Sequence, residues 1–197
     1  MLELLYPAVL GTVIYSIIER AILPTIEKLL GYQSNPAGPN TILQLILLLI
    51  TAFFYCIDYL YVMFTRDYDR FFFACDLLFL LTLSLTVGAI GLSGAGQHPP
   101  ALKLILVCYC IFLAVYFVWD RRAKRGCDNE DERNWYNKIL AWEIVSFLVL
   151  VVLFFIVWGM QDHKCAGYVV AVVIGLITAV FAPITWQKKR FYKEATE

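Results

Sequence analysis

The chain has 197 residues, 61% of them hydrophobic and 16% aromatic, with only 16% charged; an average soluble domain is roughly 45–50% apolar and about 25% charged. So much apolar surface leaves nothing to build a water-facing shell, which excludes an ordinary soluble globule. The 16 basic residues balance the 16 acidic ones, so no overall field points to nucleic acid, and none is expected as a partner.

Taken in order, Leu2–Ile18 is the shortest candidate span. About 17 residues is the lower limit for crossing about 30 Å of hydrocarbon, and Glu3, Pro7 and Gly11 interrupt the run. Behind it, Ile22, Leu23, Ile26, Leu29 and Leu30 fall at helical spacing opposite Glu19, Thr25, Glu27 and Lys28. That pattern suits an amphipathic helix lying at the surface or extending the span. GYQSNPAGPN then reads as a loop. Firm spans follow at about Thr41–Phe64, Phe71–Leu92, Ala101–Trp119, Ile139–Met160 and Ala166–Trp186, each near the ~20 apolar residues a membrane helix needs. The expectation is an all-α, polytopic transmembrane helix bundle with five firm spans and a sixth, N-terminal candidate. Residues 1–38 hold that short span or interfacial helix and an outer loop, 39–186 the bundle with its loop at 121–138, and 187–197 a basic tail.

Short connectors make successive helices antiparallel, so the distribution of Lys and Arg sets the orientation. Arg66 and Arg70, the six basic residues between Arg121 and Lys138, and Lys188, Lys189, Arg190 and Lys193 fall on one side; Arg20, Lys28, Lys103 and Lys164 fall on the other. By the positive-inside rule the rich side is cytoplasmic, which predicts a protein integral to the plasma or inner membrane with its C-terminus in the cytoplasm. Trp119, Trp142, Trp158, Trp186, Tyr59, Tyr61, Tyr68 and Tyr168 lie near the ends of the runs, as an interfacial aromatic belt would. The six cysteines include no CxxC pair and predict no disulfide framework.

The stretch CIDYLYVMFTRDYDRFFFACD places Asp58 and Asp76 nine positions either side of Asp67. If two helices meet at that turn, both acids lie at similar depth, roughly 9 Å inside it. Together with Glu143 they form a set of intramembrane acids, which is by default a functional hypothesis. Two roles follow for them: a vestibule for a cation or proton, or a ring of ion pairs with Arg66, Arg70, Arg121 and Arg122. Gly167, Ala171, Gly175 and Ala179 make a small-residue stripe for close helix packing, with Ser84 and Gly88 as a complementary face; it serves contact within one subunit or between copies. The 121–138 connector runs from basic to acidic, and Arg121, Arg122, Arg125, Asp128, Glu130, Asp131, Glu132 and Trp135 form a docking surface for a soluble partner or a solvated loop against anionic headgroups.

Gly91-Leu92-Ser93-Gly94 spells the GxSG found around the nucleophile of rhomboid intramembrane proteases, but the two histidines, His98 and His163, fall in outer loops rather than on a later helix, so no base is positioned for the serine. No metal-binding, nucleotide-binding or redox motif occurs, and neither metal nor cofactor is expected. The leading expectation is a non-enzymatic membrane sensor or scaffold subunit, homo-oligomeric, showing a cytoplasmic loop to a soluble effector. Membrane subunits of bacterial stress or antiviral defence systems share this size and layout, by architecture only. The alternative is a small ion channel or proton-coupled transporter using Asp58, Asp76 and Glu143, lined by Thr51, Thr82, Ser84, Thr86, Ser146 and Thr178; a third is an intramembrane enzyme using the same acids.

Overall fold

Five long helices account for nearly all the described chain. They run Pro39–Met63 (α1), Arg70–Ser93 (α2), His98–Arg125 (α3), Glu130–Gly159 (α4) and His163–Glu194 (α5) in a computed structural model, and no strand occurs among the described residues. The structure describes residues 18, 23, 26, 27, 30, 39–64, 68–93, 98–127, 129–159 and 163–194. The N-terminal span candidate therefore lies almost wholly outside the described residues, as do Arg66 and Asp128. Each of the five helices is long and apolar enough to cross a membrane.

Local chemistry sets the boundaries. Pro39 opens α1, where its missing N–H costs nothing. Asp69 caps α2, its Oδ1 accepting from the backbone N–H of Phe71 at 2.9 Å and of Phe72 at 3.1 Å. Asn129 does the same for α4, accepting from the Asp131 N–H at 2.9 Å. α3 runs to Arg125 and α4 starts at Glu130, so the expected loop of 121–138 is mostly a helical hairpin. Its change of sign has a local cause: Arg122, Lys124 and Arg125 sit in the last turn of α3, and Glu130, Asp131 and Glu132 in the first turn of α4, where each complements the helix dipole.

α3 is the central helix, packing most extensively on α4 and α2; α1 packs chiefly on α5, and α5 reaches α4 and α3 to close the ring. Half of the spanning window of α3 is buried against 28% of that of α4, which makes α4 the peripheral element. Buried positions advance by alternating steps of three and four: 47, 51, 54, 58 and 61 on α1; 72, 76, 79, 83, 86 and 90 on α2; 132, 136, 139, 143, 146, 150, 153 and 157 on α4. That mean period of 3.5 is the seam of a left-handed bundle. At its centre the Phe54 ring lies 5.5–6.2 Å from those of Phe79, Tyr109, Phe112, Tyr116 and Phe181, which come from α2, α3 and α5.

The small-residue stripe works inside the chain, against α1 rather than against Ser84 and Gly88, which are exposed on α2. A Cβ at Gly167 would overlap Leu43 Cδ2, and one at Gly175 would stand 3.4 Å from Ile50 Cδ1. Ala171 is buried between them, and Ala179 is exposed.

Candidate functional site: a buried carboxylate, phenol and lysine cluster

The seams that pack the bundle also carry its charges inward at one end. Asp58 on α1, Asp76 on α2, Asp120 on α3, and Glu132 and Glu143 on α4 are all buried, and they converge where α1 and α3 end and α2 and α4 begin. Bare carboxylates there would carry a heavy desolvation cost. Three of the acids accept a hydrogen bond from a tyrosine. The Tyr61 hydroxyl donates to Asp120 Oδ1 at 2.5 Å, Tyr116 donates to Asp58 Oδ1, and Tyr68 donates to Asp76 Oδ2. Two of these bonds tie different helices together, α1 to α3 in both cases.

Lys188 on α5 supplies the positive charge. It is only 3% exposed and is the one buried cation among the described residues. Its Nζ sits 3.4 Å from the centre of the Tyr61 ring, a cation–π contact of the kind that strengthens on desolvation, and it lies within electrostatic reach of Asp120, Asp58 and Glu132. Beside it, Trp135 Nε1 donates to Gln187 Oε1 at 2.9 Å, fastening α4 to α5.

Glu143 differs from the other acids. It is 1% exposed and meets the Asp120 carboxyl, a pair of acids that one proton can bridge, while Ser146 Oγ, Trp119 Nε1 and Tyr55 OH have no hydrogen-bond partner among the described residues. Buried polar atoms normally have partners, so this end of the bundle holds unused bonding capacity. No group of three metal-ligating side chains comes together among the described residues.

The expected residues are thus partly reunited. Asp58, Asp76 and Glu143 do share one end of the bundle, joined by Asp120. Their expected arginine partners are placed otherwise: Arg70 and Arg121 are exposed, and Arg122 pairs with Asp69 at 3.0 Å on the surface. Two N–H groups and that guanidinium hold the Asp69 carboxyl below the usual carboxylate range. The docking surface narrows as well, because Trp135 and Glu132 are buried; Arg121, Arg122, Arg125, Glu130 and Asp131 remain exposed. The aromatic belt divides too: Trp142, Trp158, Tyr168 and Trp186 are exposed, while Trp119 and Tyr61 belong to the interior.

Lys188 and the tyrosines are the members that sequence reasoning missed, and a signal for the lysine existed. Ile174, Thr178, Phe181, Thr185 and Lys188 advance by four, three, four and three, and all are buried. The seam of α5 therefore runs on into what reads as a basic tail. No known family, curated protein or solved structure matches the chain, so the geometry alone carries the functional argument.

Proposed function

We infer that the protein is a non-enzymatic integral membrane sensor whose input is the charge balance of this buried cluster and whose output is the α3–α4 hairpin above it. The observation that carries the reading is the position of Lys188. It faces Asp58 and Tyr61 on α1, Asp76 on α2, Asp120 on α3, Cys127 in the connector, and Glu132 and Glu143 on α4. A proton or small cation entering that set changes the electrostatic fit between α5 and the two helices that form the hairpin, so occupancy shifts the hairpin between two arrangements. On the positive-inside rule this end faces the cytoplasm, and the exposed Arg121, Arg125, Glu130 and Asp131 offer a bipolar surface to a soluble effector. By analogy of architecture alone, the reading extends to a homo-oligomeric subunit of a bacterial stress or antiviral defence system.

Two observations favour a sensor over a conduit. The Phe54 aromatic cluster fills the bundle beyond the polar end. Five of the six hydroxyls expected to line a path instead donate to the carbonyl one turn back in their own helices: Thr51 to Leu47, Thr82 to Leu78, Ser84 to Leu80, Thr86 to Thr82 and Thr178 to Ile174; only Ser146 does not. The channel or transporter reading keeps one support, the convergence of Asp58, Asp76 and Glu143, and predicts proton or cation flux into liposomes that Asp58→Asn abolishes.

The test of the sensor is a spin label at Arg125→Cys in a cysteine-free background. Its mobility should differ between about pH 5 and pH 8, and Lys188→Met should remove the difference. A label with the same pH response in both proteins would overturn the reading.

A further inference from the structure

Asp120 on α3 and Glu143 on α4 meet between the two arms of the hairpin, close enough to share a hydrogen bond. Both side chains are almost fully buried, and no other described residue donates to Asp120 Oδ2 or to either Glu143 oxygen. An ionised carboxylate only accepts hydrogen bonds, so two ionised ones cannot bond to each other. The hydrogen in this contact has to be a proton that the pair itself carries. Like charges at contact distance oppose double ionisation, and two acids so placed titrate as a unit. The groups around them come from every neighbouring helix. Tyr61 on α1 donates to Asp120 Oδ1, and Tyr136 on α4 lies near Tyr61. Lys188 on α5 faces both acids; Asp58 on α1, Asp76 on α2, Cys127 in the connector and Glu132 on α4 share that lysine with them.

We propose that Asp120 and Glu143 bind one proton between them, and that this proton, in place of a metal cation, is the ligand of the buried cluster. The proposal rests on the sensing reading for its consequence and names the ligand and the atoms that hold it. A proton fits inside a carboxyl–carboxyl contact that already exists. A hard cation such as calcium takes about six to eight oxygens, more than this pair supplies, and Asp120 Oδ1 is already engaged by Tyr61. With the proton bound, one hydrogen bond joins α3 to α4. Without it the two carboxylates repel and compete for Lys188, which draws α5 toward one arm of the hairpin.

The experiment is infrared spectroscopy of the full chain in dodecyl maltoside, which has no carbonyl of its own, reading the C=O stretch of protonated carboxyl groups between about pH 5 and pH 8. The expected result is a band present at the acid end, lost toward the alkaline end and shifted in deuterium oxide. Glu143→Gln and Asp120→Asn should each remove it, because either acid alone ionises beside Lys188 and accepts from the amide that replaces its partner; Asp58→Asn should keep it. A proton held by one acid alone would survive replacement of the other, so a band persisting in either variant would overturn the proposal. The parent chain gives a second check that needs no substitution. Sodium, magnesium or calcium added at constant pH should leave the band unchanged, whereas its loss on adding one of them would make that ion the ligand and overturn the proton. A parent band that does not change across the pH range would also overturn it. The spin label at Arg125→Cys separates this proposal from the sensing reading: a band that titrates as expected beside a silent label supports the shared proton and overturns the sensor, and a responding label with a band that persists in Asp120→Asn does the reverse.

Discussion

The two ends of the same seams solve opposite problems. Toward the middle, Phe54 is surrounded by rings from α2, α3 and α5, and the few polar groups are neutral: Thr82 and Thr178 bond within their own helices, while the Thr51 hydroxyl also meets that of Tyr109 across to α3. At the basic end, the same inward positions hold Asp58, Asp76, Asp120 and Glu143, and the polar groups reach between helices, Tyr61 to Asp120 and Tyr116 to Asp58. The middle is mostly apolar packing. The charged end is held by a network with one buried lysine among the described residues and several atoms without hydrogen-bond partners, and on this the proposed sensing rests. The lesson is that a 3.5-residue seam fixes what faces inward and leaves open whether it is inert or responsive.

The sharpest way to break the comparison is Lys188→Met. Removing the buried cation while the acids stay should cost about 3–5 kcal/mol, read as a lower unfolding midpoint in mixed detergent. Phe54→Ala attacks the inert half and should cost about 3 kcal/mol by the same measurement, but unlike Lys188→Met it should leave the pH response of the hairpin label intact. Gly167→Ala drives a methyl toward Leu43 and should cost about 1–3 kcal/mol, while Gly175→Ala, at ordinary contact with Ile50, should change stability by no more than about 0.5 kcal/mol.

The smallest effect belongs to the surface pair. The Asp69 carboxyl titrates below its ordinary range, so its contribution is present above the unfolded-state value and is lost as pH falls through the lower folded-state value. Asn also caps helices well, so Asp69→Asn should be slightly less stable than the parent at neutral pH. The gap should close at strongly acidic pH, as thermal melts at the two pH values would show.

Much of this was legible in the residues. Five apolar runs and their connectors locate the five helices, and the clustering of Arg and Lys places α1, α3 and α5 with their C-terminal ends together. Asp58, Asp76 and Glu143 stand out because charge in an apolar run is rare. What hid the rest was context that a linear reading weighs wrongly. Lys188 stands beside Lys189 and Arg190 and takes its meaning from them, although its spacing from Phe181 and Thr185 puts it on the inner stripe. Tyr61 and Tyr68 lie near a charged turn, so they resemble interface anchors. Trp135 sits among charges that favour helix ends as much as loops, and the extension of α3 and α4 beyond the apolar runs buries it against Gln187. The pairing of α5 with α1 is a long-range choice that periodicity cannot make; the fit of Leu43 to Gly167 makes it.

The claim that one lysine balances the buried acids is tested most directly by a double-mutant cycle on Lys188→Met and Asp120→Asn, measured by equilibrium unfolding. The two should couple by about 1–3 kcal/mol, the asparagine recovering part of what the methionine loses. Strict additivity, within about 0.5 kcal/mol, would mean that Lys188 and Asp120 do not answer one another and would contradict the account.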